Sequence, residues 1–166
     1  MKDLYPSSYR MQTFLEWKNS MGVIKGHKND ISVPFDRPAA FGGSDDHFYP
    51  DELFLGAIAA CFITTFLNLI QRFDEDDFTL ESIAFETRTE LKKEHLYTAK
   101  EIILNGSMMF IKAEDTALIR RLIKLSRENC HLLSSLSNEI KITIIIDLTI
   151  KDDASDECIT EKITLE

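Results

Sequence analysis

The chain is poor in glycine and proline, with six and four among 166 residues, and that scarcity excludes collagen-like, linker-like and low-complexity disordered chains. Cysteine is sparse too. Cys61, Cys130 and Cys158 are odd in number and far apart, which suits reduced thiols better than the disulfide framework of a small secreted fold. Basic residues are outnumbered, 19 Lys and Arg against 28 Asp and Glu, giving a formal net charge of -9 with no basic stripe to override that sign locally. Nucleic acid and anionic membranes are therefore not expected as partners. The segment Met1 to Pro6 has no apolar stretch followed by small residues, so no secretory signal is read there and a cytoplasmic location is expected.

What is present is a chain 44% hydrophobic and 28% charged, in which apolar and charged residues alternate strongly. One domain over 1–166 is expected, with a core from about 11 to 150 and a polar carboxy-terminal extension, 151–166. Met11, Thr13, Leu15 and Trp17 share one face of a strand running to Lys18; Gly22 and Gly26 punctuate a second, and Ile31-Ser32-Val33 forms a third before Pro34. Ile83, Phe85, Thr87, Thr89 and Leu91 share the face of a later strand, paired with Lys100 to Ile111, an apolar run broken at Asn105-Gly106. The clearest strand is Ile140 to Ile150, where every second residue is Ile or Leu, and Ile159 to Leu165 adds a short edge strand.

Two helices interrupt the strands. Leu53 to Gln71 holds 19 residues without a charge, with Pro50 suited to the first turn and Asp51 and Glu52 placed where the helix dipole favours them. Such a run approaches the length of a bilayer core, but Thr64, Thr65, Asn68 and Gln71 lower its hydrophobicity and no Lys or Arg cluster fixes an orientation, so a helix wrapped by protein is expected instead. A chain of this size can hardly enclose it alone, and Gly56, Ala57, Ala59 and Ala60 permit close approach; a homodimer is the expected solution. The second helix opens near Glu114-Asp115-Thr116, buries Leu118, Ile119, Leu122, Ile123 and Leu125, and ends at Cys130. Strands, buried helix, strand pair, amphipathic helix and final strands make an α+β architecture.

The residues capable of chemistry are few. A buried cysteine is often a small hydrophobe, and Cys61 and Cys130 taken singly need no other explanation. His27, His47, His95 and His131 lack ligand spacing, so no metal site is expected, although His131 beside Cys130 would bind one if another region converged on it.

A wider pattern adds to this: Phe41-Gly42-Gly43, Tyr49-Pro50-Asp51-Glu52-Leu53-Phe54, Ala59-Ala60-Cys61-Phe62, Thr65-Phe66, and Cys130 before an alternating strand. From about Met11 to Ile150 the chain resembles the OsmC/Ohr family of thiol-dependent peroxidases. The resemblance implies an intertwined homodimer with a long central helix and active sites at the subunit interface. It implies that Cys61 attacks an organic hydroperoxide, that Cys130 resolves the sulfenic acid as a disulfide, and that an external dithiol reduces it, with no metal or nucleotide cofactor. The family ionises its thiol with an arginine held by a carboxylate at the start of the long helix. Where the family commonly has Glu after the proline, this chain has Asp51, about 15 Å along the helix from Cys61, so a site using both would combine two subunits. Arg37 is the candidate arginine and Arg10 a poorer one. The alternatives are a catalytically quiet dimer that binds an apolar small molecule or serves as an interaction module, and a thiol acyl hydrolase, for which no convincing histidine partner of Cys61 is evident.

Overall fold

The alternating segments fold into two antiparallel-rich sheets, and the uncharged run into a long helix. The computed structural model describes residues 11–15, 21–26, 31–73, 78–93, 97–113, 115–152 and 155–166, in two compact units, Met1–Phe54 and Leu55–Glu166. Arg10, Trp17, Lys18, His27, His95 and Glu114 lie outside the described residues.

In the first unit β1 (Met11–Leu15), β2 (Gly22–Gly26) and β3 (Ser32–Phe35) form an antiparallel sheet in that order. Gly22 pairs with Phe35, and a Cβ on it would sit 2.3 Å from the Phe35 ring, so only glycine lets the ring lie across the strand. After β3 a short 3-10 turn, Ala39–Phe41, closes on Gly42, whose φ of 84° is the left-handed conformation that glycine adopts without strain. Helix α1 (Pro50–Ile70) starts with proline at its first position, and the Glu52 carboxylate turns back to accept the Tyr49 amide at 2.8 Å, satisfying a donor at the helix entrance.

The second unit holds β4 (Phe78–Lys93), β5 (Tyr97–Ala113), α2 (Thr116–Asn129), α3 (His131–Ser134), β6 (Lys141–Asp152) and β7 (Ser155–Leu165). Its sheet runs β4-β5-β6-β7, antiparallel except for the parallel β5–β6 pair. A parallel pair needs a crossover of a dozen or more residues, and α2 and α3 supply it. Asp115 caps α2 as its sequence position implies, accepting the amides of Ala117 and Leu118. Ile142, Ile144, Ile146, Leu148 and Ile150 are all buried, on one face of β6, and share a core with Ile58, Phe62 and Phe66 of α1 and Ile119, Leu122 and Ile123 of α2.

Several features differ from the sequence expectation, among them β3, which runs through Pro34 to Phe35. The strand pair is longer at both ends, and β5 runs through Asn105-Gly106 without a break, because Gly106 faces Phe85 and the ring covers its bare backbone. β7 begins at Ser155 because pairing with Lys151 and Asp152 extends it beyond its apolar part. α3, four residues long, is too short for any periodic signal. The run of small residues on α1 is not enclosed by one chain: Gly56, Ala57, Ala60 and Thr64 are exposed, whereas Ile58, Ala59, Cys61, Phe62, Thr65 and Phe66 are buried. By length and composition α1 is able to cross a bilayer, with 33% of that apolar window buried within the chain.

Candidate functional site

Cys61 sits mid-way along α1 among core residues and is 7% exposed; Cys130 ends α2 and is fully buried. Their burial follows from pattern. Cys61 is one residue from Phe62 and three from Ile58 on the core side of α1, and Cys130 stands seven residues beyond Ile123, two helical turns along the buried face of α2. The two elements bring the sulfurs to 3.2 Å, with the Cys130 thiol donating to Cys61 Sγ. Two sulfurs distant in sequence thus share an apolar setting within the second unit.

A third side chain meets the same sulfur. His131 Nδ1 lies 3.4 Å from Cys61 Sγ, and Nε2 4.0 Å. Consecutive residues of a continuous helix point in directions about 100° apart and do not converge on one atom. Cys130 is not helical: its φ of -70° and ψ of 107° break the chain between α2 and α3, and that kink lets residues 130 and 131 both face Cys61. Sequence reasoning weighed His131 only as a metal ligand and found no histidine for Cys61; the structure corrects this. The signal was the Cys130-His131 dipeptide, which carries no period.

The two thiols are not equivalent. Burial, chiefly, pushes Cys130 up to about 11, with the hydrogen bond to Cys61 adding to the rise and the Leu133 and Leu132 amides opposing it. Cys130 is therefore a proton donor at neutral pH, and Cys61 the acceptor. Of the neighbouring threonines, Thr65 Oγ1 donates to the Cys61 carbonyl at 2.8 Å, and Thr64 Oγ1 to the Ala60 and Cys61 carbonyls. Cys158 is exposed on β7, as expected of a surface segment.

Arg37 and Asp51 belong to the first unit, and both are exposed. The Arg37 guanidinium lies by Gly42, 3.5 Å from where a Cβ would stand, in its own loop. The adjacent Asp36 carboxylate is buried and accepts the Arg37 and Ser44 amides and the Ser44 hydroxyl, all within 2.8 Å. It is therefore the backbone of Arg37, not its guanidinium, that Asp36 holds. Among the described residues no group of three or more His, Cys, Asp or Glu side chains is arranged to hold a metal ion.

Comparison with known proteins identifies the family and the fold. Residues 43–145 match the family model described as OsmC-like protein. A Bacillus subtilis relative, the uncharacterized protein YmaD, is 24% identical over 132 residues, 76% of this chain and 84% of that one. Two solved structures share the fold: the OsmC-like protein of Mycoplasma pneumoniae, with TM-score 0.68 and 16% identity over 87% of this chain and 99% of that one, and an organic hydroperoxide resistance protein from Elizabethkingia anophelis, with TM-score 0.60 and 15% identity over 90% and 100%.

Proposed function

We propose, from the premise that the chain belongs to the OsmC-like protein family, that it reduces organic hydroperoxides with the cysteine pair Cys61 and Cys130. The observation that carries this is the 3.2 Å separation of the two sulfurs. The Cys61 thiolate attacks the terminal oxygen of the hydroperoxide; the O–O bond breaks, the departing alkoxide takes a proton to become an alcohol, and Cys61 becomes a sulfenic acid. Cys130 then attacks the Cys61 sulfur, water leaves, and a disulfide forms that an external dithiol reduces while being oxidised itself. A disulfide is about 2.0 Å long, so the sulfurs need close by only about 1 Å. Core side chains such as Phe62, beside Cys61, favour alkyl over hydrogen peroxide by burying an apolar tail. We place this activity in the cytoplasm, in a homodimer whose second copy covers the exposed small residues of α1, with Arg37 and Asp51 as candidates to serve the thiolate in a site that combines two subunits.

The test is turnover of tert-butyl hydroperoxide with dithiothreitol. Cys61→Ser should abolish it and Cys130→Ser should stall the protein after one oxidation. Undiminished reduction by Cys61→Ser protein rejects the proposal, and absence of turnover in the unaltered protein favours the catalytically quiet reading. The His131 contact also favours a second chemistry, acyl transfer by a Cys–His pair. The two separate at Cys130: hydrolysis of an activated ester would survive Cys130→Ser, whereas repeated peroxide turnover would not.

A further inference from the structure

A cysteine attacks as its thiolate, so a reacting thiol needs a group that takes its proton. Cys61 has no help from its own helix: it lies about eleven residues from the first position of α1, and dipole effects fade within the first turn. Something else must take its proton. The kink at Cys130 aims an imidazole at this sulfur, at hydrogen-bond range for a sulfur acceptor, and no other role for the kink is needed to see its effect.

We infer that His131 is a catalytic residue that ionises Cys61. The proton passes from Cys61 Sγ to His131 Nδ1, leaving a thiolate beside an imidazolium; no electrons move in this step. Resting on the peroxide reading, the second half follows: when the thiolate attacks and the O–O bond breaks, the imidazolium returns that proton to the alkoxide, and both groups end uncharged. His131 is exposed while Cys61 is buried, so the imidazole also links the inner sulfur to bulk water for proton exchange. Of the titratable groups among the described residues, Cys61 of α1 stands against the imidazole and Cys130 adjoins it with its own proton in place; along its own segment Arg127 and Glu128 precede it by four and three residues with opposite charges.

The experiment is the pH dependence of Cys61 alkylation by iodoacetamide in the full chain, read peptide by peptide, in unaltered, His131→Gln and His131→Ala proteins. In the unaltered protein alkylation should level off near neutral pH. His131→Gln should slow it about tenfold or more at pH 7 and move the profile to that of an ordinary thiol, with added imidazole restoring the rate in His131→Ala. An unchanged profile in both variants overturns the assignment, and so does failure of imidazole to rescue a correctly folded His131→Ala. Alkylation needs no peroxide: a His131-dependent profile without peroxide turnover sinks the proposed function alone, and turnover with a His131-independent profile sinks the inference alone.

Discussion

Cys130 Sγ lies 3.2 Å from Cys61 Sγ although 69 residues separate them. The parallel β5–β6 pair causes this: its crossover lays α2 over the face of the sheet that α1 also covers, so the end of one helix meets the middle of the other. The contact is a by-product of topology and at the same time the geometry a redox pair requires.

The electron count of that pair is checkable. Oxidation of two thiols by one hydroperoxide yields one disulfide, one alcohol and one water. Reduced, denatured protein should show three titratable thiols, and protein treated with one equivalent of tert-butyl hydroperoxide should show one, mapped to exposed Cys158. Loss of Cys158, or a disulfide between chains through it, would contradict an intramolecular Cys61–Cys130 bond.

Burial of Cys130 has a signature in stability. Its thiol holds a proton up to about 11, above the ordinary thiol value, so between those values the folded chain keeps a proton that the unfolded chain has lost. The stabilisation is complete below the unfolded value and is lost as pH rises through the folded one. Urea midpoints measured from pH 8 to 11 should fall across this window, and Cys130→Ser, which does not titrate there, should fall less. Parallel curves for the two proteins would rule out Cys130 as the cause.

How far the site was legible in the sequence depended on period. Both cysteines could be placed, because Cys61 lies inside an uncharged helical run and Cys130 falls at a heptad's distance from Ile123. The alternation of β6 was equally plain: Ile142 to Ile150 are buried on one face. His131 was not legible, since its position depends on one non-helical residue, Cys130, and a single pair of backbone angles leaves no repeat. The continuity of β5 was hidden for a related reason. Asn105-Gly106 has the local chemistry of a turn, and only a ring from the neighbouring strand turns it into strand.

That ring gives a packing prediction. A Cβ on Gly106 would stand 2.3 Å from Phe85 Cε1, and Phe85 itself is held edge-on against Phe62, ring centroids 5.4 Å apart. Gly106→Ala must push Phe85 off Phe62 and should cost about 1–3 kcal/mol of stability, despite the better strand propensity of alanine. Chemical denaturation measures it. The double variant Gly106→Ala with Phe85→Ala should recover part of the cost, since the alanine methyl then meets open space; strict additivity would show that the ring is not the obstacle.

The loop that carries Arg37 should respond to acid, in the direction opposite to Cys130. The Ser44 amide, foremost, then the Ser44 hydroxyl and the Arg37 amide hold the Asp36 carboxyl below its ordinary value, against the upward pull of burial. A lowered folded value means stabilisation present at neutral pH and lost as pH falls through it. Asp36→Asn puts an amide nitrogen among groups that are themselves donors, so one of them is left unpaired. Proteolytic cleavage between residues 36 and 49 should rise in unaltered protein below about pH 4, and should already be high at pH 7 in Asp36→Asn, with little further change in acid. Gly43→Ala is the control, because its Cβ would stand 1.6 Å from the Arg37 carbonyl oxygen and open the same loop at every pH. Equal protease resistance of Asp36→Asn and unaltered protein at pH 7 would mean that the carboxylate is not what shapes the loop.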